Sequence, residues 1–113
     1  MSPDDGPPLK PLEVHVLLAL AEGDRHGYGI VKEIEARSEG RIRLEPGNLY
    51  RHIRRLVDAG WVAPAARKNV GDDDSPRRRR YYRITPLGRR VLAAEAARMR
   101  RLAAAVEEGL SRA

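Results

Sequence analysis

Apolar residues near the carboxy end recur with a spacing that one copy of this chain cannot satisfy alone. Leu92, Ala96, Met99, Ala103, Val106 and Leu110 follow one another at intervals of 4, 3, 4, 3 and 4. That is the seam of a helix that packs lengthwise on another helix. Thr85-Pro86 opens this helix, with Thr as the cap and Pro in the first turn, where a missing N–H costs nothing. Running to about Leu110, it measures roughly 40 Å at 1.5 Å per residue. With 113 residues in all, nothing else in the chain is long enough to cover the whole seam. A second copy is the simplest cover, so a homodimer is expected, and one small domain per chain.

Three shorter helices precede it. Leu12 to Ala21 carries Val14, Leu17, Leu18 and Ala21 at helical spacing, and Leu12, Val16 and Leu20 on other faces. A helix apolar nearly all round is buried nearly all round. In so small a domain that suggests a second layer over Val14, Leu17 and Leu18, from another subunit. Gly23 to Gly27 reads as a turn, and a second helix runs from about Gly27 to Ser38 with Ile30, Val31 and Ile34 inward. A third starts at Glu45-Pro46-Gly47, continues to about Ala59 and stops at Gly60, a good residue just past a helix end. At about 100° per residue, Leu49, Leu56 and Val57 fall near Ile53 as a core stripe. Asn48, Arg51, Arg55 and Asp58 fall opposite; His52 and Arg54 flank that outer face, and Tyr50 borders the stripe. Arginine and Asn on an open helical face can present paired donors and acceptors to base edges.

Trp61-Val62-Ala63 reads as a short strand, Pro64 to Pro76 as a polar loop containing Asp72-Asp73-Asp74, and Arg78 to Ile84 as a second strand with Tyr82 and Ile84 on one face. The expected fold is therefore mainly α with a small β-hairpin: a winged helix-turn-helix over residues 12–85, a long C-terminal dimerisation helix over 86–113, and a flexible arm over 1–11.

Charge is distributed in keeping with that order. Residues 1–40 hold 4 basic and 8 acidic side chains, whereas 41–60 hold 5 and 2, and 61–85 hold 7 and 3, so the amino-terminal third is acidic and residues 41–85 carry +7 of a chain total of +6. One-sided positive charge is the electrostatic footprint of a nucleic-acid binder, with a solvated basic surface as the bland alternative. There are no cysteines, which excludes a disulfide scaffold, a thiol nucleophile and a sulfur-based zinc site. No run of about 18 apolar residues exists, so no membrane span is expected. Residues 1–11 do not resemble a signal peptide, and a cytoplasmic location is the default.

At this point three segments together look familiar: H-G-Y-G-I at His26 to Ile30, L-E-P-G-N-L-Y-R-H-I-R-R-L-V-D-A-G-W-V at Leu44 to Val62, and R-R-R-R-Y-Y-R-I-T-P-L-G at Arg77 to Gly88. In combination they resemble the PadR family of transcriptional regulators, over about residues 12–108. The resemblance implies a homodimeric repressor-type protein that binds double-stranded DNA at a pseudo-palindromic operator; the single C-terminal helix is similar to the smaller branch of that family. Asn48 stands where the family usually carries Ser or Thr, and an Asn side chain still bonds a phosphate or an adenine edge. Relatives bind aromatic ligands, in some cases through a tryptophan of the dimer-spanning helix, but this long helix has no aromatic residue. Any small-molecule effector is left open.

The candidate DNA contacts are Asn48, Tyr50, Arg51, His52 and Arg55 on the third helix and Lys68, Arg77, Arg78, Arg79 and Arg80 on the wing. The candidate dimer contacts are Val14, Leu17 and Leu18 with the seam Leu92, Ala96, Met99, Ala103, Val106 and Leu110. Trp61 is expected in the core. His15 and His26 have no metal-type spacing, so no metal is expected. No Ser-His-Asp set or paired carboxylates occur, and Gly27 and Gly29 lack the rest of a dinucleotide fingerprint, so neither catalysis nor a cofactor is expected. The rival reading is a winged-helix dimer that docks an acidic protein through the same basic face.

Overall fold

Four helices and three short strands make up the computed structural model, which describes residues 9–65 and 80–112. α1 (Pro11–Ala21) begins where the Glu13 carboxylate accepts a hydrogen bond from the Lys10 N–H at 2.9 Å. Val16, Leu17, Ala19 and Leu20 of α1 are buried, and Leu12, Val14 and Leu18 are half-buried, as a nearly all-apolar helix requires. Helix α2 (Gly27–Arg37) is capped by His26, whose Nδ1 accepts from the Gly29 N–H at 3.0 Å.

α3 (Pro46–Asp58) ends in a left-handed turn at Gly60, φ +85°. The Trp61 N–H donates to the Leu56 carbonyl at 3.0 Å and the Gly60 N–H to that of Val57 at 2.9 Å, which satisfies two carbonyls that the helix end would otherwise leave bare. A side chain at Gly60 would be strained by that φ, so the stop read from the sequence has a backbone cause.

Strands β2 (Val62–Ala65) and β3 (Tyr81–Ile84) pair antiparallel with Val62 opposite Ile84 and Ala65 opposite Tyr81. The sheet has a third member that the sequence reading took for a turn: β1 (Arg25–His26) pairs antiparallel with the other edge of β3, giving the order β1-β3-β2. This ties the α1–α2 connection to the hairpin. Alternation on β3 is as expected, with Tyr82 and Ile84 buried and Arg83 exposed.

α4 (Pro86–Ser111) is joined to the hairpin and α3 by one residue, Thr85. Its hydroxyl oxygen accepts from the Gly88 N–H at 3.0 Å and its O–H donates to the Gly60 carbonyl at 2.6 Å, while the Thr85 N–H donates to the Trp61 carbonyl at 3.0 Å. The core gathers Val16, Leu17 and Leu20 of α1, Ile30 and Ile34 of α2, Leu49, Ile53 and Leu56 of α3, and Val62, Tyr82 and Ile84 of the sheet, with Trp61 and Leu92 packed partly buried against it.

Two expectations are corrected here. Leu17 has 0% exposure inside its own chain, so no surface of it is left to face a second subunit. Its place on a helix apolar all round did not distinguish an inner layer from an outer one. Residues 9–11, placed in the expected arm over 1–11, belong to the folded unit: Pro11 is in α1, Leu9 packs on the core, and the Leu9 N–H donates to Oε1 of the buried Glu95 on α4 at 3.1 Å, while residues 1–8 lie outside the described residues. Leu92 also packs, partly buried, against its own core.

Candidate nucleic-acid interface

Buried Leu49, Ile53 and Leu56 fix α3 against the core and so fix which of its residues face outward. Asn48, Arg51, Arg54 and Arg55 are exposed and His52 is half-buried. Nη2 of Arg51 donates to Oδ1 of Asn48, three residues earlier and thus on the same face. The pair places a guanidinium and an amide side by side on the exposed face of the first turns of the helix.

Tyr50, 38% exposed, lies against the start of α2: a Cβ added at Gly27 would meet the Tyr50 hydroxyl at 2.7 Å. A glycine there lets the first turns of α2 and α3 approach. Beside it Tyr28 is 63% exposed; its ring stacks with His26 at 6.4 Å between centroids, and Lys32 Nζ lies 5.6 Å from its centre. His26 meets Tyr81 edge-on at 5.4 Å, linking α2 to the hairpin.

Arg55 is outward as expected, with Glu13 Oε2 of α1 3.9 Å from its Nη2. The partner is 42 residues away in sequence, which is why helix periodicity could not reveal it. At that separation and exposure the pair contributes little to stability, and Arg55 remains free to exchange it for a phosphate. Arg80 is exposed at the foot of β3. Lys68, Arg77, Arg78 and Arg79, and the acidic run Asp72 to Asp74, lie outside the described residues.

The acidic amino-terminal third has a structural use away from this face. Arg25 and Arg37 share the carboxylates of Glu22 and Glu33, with Arg37 Nη2 at 2.6 Å from Glu22 and 2.9 Å from Glu33. Hydrogen bonding to Glu22, then its charge and that of Glu33, raises the Arg37 guanidinium above its ordinary value against the opposing effect of desolvation. Among the described residues no cluster of three or more potential metal ligands occurs, and no helix is long and apolar enough to cross a membrane.

A cleft of about 570 Å³ opens between α3 and the hairpin, lined by Arg54 and Asp58 on one side and Arg80 and Tyr81 on the other, with Ile53 and Tyr82 also contributing. Arg54 was not among the candidate contacts. Its position on the flank of the outer face was legible, but the hairpin wall opposite it was not.

The model of the PadR-like family of transcriptional regulators matches residues 16–94, from the middle of α1 into α4. The chain belongs to the PadR-like family. A transcriptional regulator of Mycobacterium tuberculosis is 32% identical over 100 residues, covering 88% of this chain and 86% of its own. An uncharacterised 37.1 kDa protein in a transposon of Streptomyces fradiae is 41% identical over 93 residues, but this PadR-like chain spans only 24% of its length. Among solved structures, a PadR family regulator from Clostridium difficile has the same fold, with a TM-score of 0.69 at 20% identity over 89% of this chain and 99% of that one. Bacillus subtilis PadR, solved in complex with operator DNA, gives 0.61 at 18% identity over 74% of this chain and 45% of its own. Those neighbours have the winged-helix fold of PadR regulators, and the three-stranded sheet with its long following helix is the PadR arrangement in this chain.

Proposed function

We propose that this PadR-like regulator binds operator DNA as a homodimer, with α3 in the major groove and the hairpin along the backbone, and acts as a repressor. The observation that carries the reading is the Asn48–Arg51 pair, exposed on a helix whose opposite face is locked in the core. A guanidinium fork suits guanine O6 and N7, and an amide suits adenine. Tyr50, His52 and Arg55 are assigned supporting contacts around it, with Lys68 and Arg77 to Arg80 on the wing. The operator complex of the similarly folded Bacillus subtilis PadR supports the same use of the fold.

Dimerisation is assigned to the outer half of α4. There Met99, Leu102, Val106 and Leu110 are 44–72% exposed, an unusual concentration of large apolar groups in water. Leu102 extends the seam read from Ala96, Met99, Ala103, Val106 and Leu110; Val14 and Leu18 of α1 are half-buried side chains that keep some surface for a second subunit. A two-fold dimer presents two α3 helices to half-sites about one helical turn apart, or a multiple of it, so the operator is a pseudo-palindrome.

The test is binding to the promoter region of the protein's own gene against a scrambled duplex across a salt series. Regulation through specific DNA contact requires a tight preferred site and a steep fall of affinity with salt. Equal, weak binding to both duplexes would instead favour a winged-helix dimer that docks an acidic protein.

A further inference from the structure

We infer that the cleft between α3 and the hairpin seats a phosphodiester of one DNA strand, with Arg54 as its principal donor and Arg80 facing it from the hairpin; the inference rests on the DNA-binding reading above. The cleft falls within the size range of small-ligand sites, about 300–1,000 Å³, and has room for a phosphate together with its flanking sugars. It receives one arginine from each wall. Among the described residues neither Arg54 nor Arg80 has an ion-pair or hydrogen-bond partner, whereas Arg25, Arg37, Arg55 and Arg112 are each paired with a glutamate. Two unpaired guanidinium groups facing one concavity repel each other, and an anion between them removes that repulsion.

The position of the phosphate follows from spacing. Tyr50, Arg54 and Asp58 succeed each other at intervals of four, one helical turn apart along the same wall. Asp58 stands at the carboxy end, where the helix dipole is also negative, and makes no ion pair with Arg54. Both effects push an anion toward the Tyr50 end, which is the end that carries Asn48 and Arg51. The seat thus holds the backbone beside the bases that α3 would read. Ile53 and Tyr82 give it a fixed floor, because both are buried in the core.

Arg54→Ala and Asp58→Asn, measured on the full chain by fluorescence anisotropy against a preferred and a scrambled duplex, test this in opposite directions. Arg54→Ala should weaken both duplexes by a similar factor and reduce the slope of log K against log salt by about 0.9 for each protomer engaged. Asp58→Asn should strengthen both. Arg54→Lys, which keeps the charge, should recover most of the salt slope. An Arg54→Ala protein with unaltered affinity and slope, while Arg51→Ala still loses binding, overturns the phosphate seat and leaves the DNA reading standing. A wild type that binds no duplex overturns that reading and this inference with it. Titration with a mononucleotide separates the other source of such an anion: saturable, Arg54-dependent binding of the mononucleotide with duplex affinity unchanged in Arg54→Ala would assign the cleft to a small phosphorylated ligand and overturn the strand assignment.

Discussion

Gly88→Ala strikes the joint on which α4 is mounted. Gly88 is buried in the first turn of α4, and a Cβ there would collide with the carbonyl oxygen of Trp61 and lie 2.8 Å from Cγ1 of Ile84. The obstacle is backbone, so no side-chain rotation relieves it. Forced overpacking of this kind costs about 1–3 kcal/mol. Displacing α4 also endangers the hydrogen bond from the Thr85 N–H to that same Trp61 carbonyl, worth about 0.5–1.5 kcal/mol. Against these, replacing Gly by Ala in a helix returns at most about 1 kcal/mol. The net loss is about 1–3 kcal/mol, and at roughly 4–8 °C per kcal/mol the melting temperature falls by about 5–20 °C. Calorimetry or circular dichroism at fixed protein concentration reads it, since the proposed dimer would make the midpoint concentration-dependent. Gly47→Ala, in the first turn of α3 and away from α4, is the control: nothing lies within 4 Å of its added Cβ, so only propensity acts and stability holds or rises. A Gly88→Ala protein as stable as wild type would refute the account of how α4 is fixed to the hairpin.

Thr85→Ala removes the α4 cap and the bond to the Gly60 carbonyl together; urea unfolding should show a loss near 2 kcal/mol, the upper part of the capping range of about 0.5–2. Gly27→Ala meets only the movable end of Tyr50, so unfolding should shift by less than about 1 kcal/mol while duplex affinity falls as Tyr50 is pushed aside. Met99→Glu puts a charge on the exposed half of α4, and sedimentation should show monomers; a dimer of undiminished stability would move the interface elsewhere.

Local rules carried the sequence reading as far as local causes reach. Gly60 was legible as a helix stop because the left-handed turn is a property of the residue itself, and Thr85 as a cap because its hydroxyl acts within its own turn. The core stripe of α3 followed from periodicity alone. What failed depended on partners distant in the chain. Arg25 and His26 have turn composition and become a strand only because β3 offers a free edge opposite Tyr82 and Tyr81. Leu17 was assigned outward because apolar residues surround α1, and only the packed core shows which of them face α2 and the sheet. Along the α4 seam, Leu92 and Ala96 are half-buried within the chain beside buried Val91 and Glu95, while the large apolar side chains from Met99 onward are exposed, a division that spacing alone does not show. In the candidate interface Arg51 was legible from the helical wheel, whereas the Arg55–Glu13 pair and the facing of Arg54 by Arg80 arise from tertiary folding.

The most direct measurement is the affinity of wild type and Arg51→Ala for a footprinted operator and for duplexes carrying each single base-pair change within one half-site. If α3 reads bases, Arg51→Ala loses about 1–3 kcal/mol on the operator and becomes indifferent to the base at one position, while remaining selective at the others. Equal affinities for wild type and variant across the whole set would remove α3 from the groove and contradict the account.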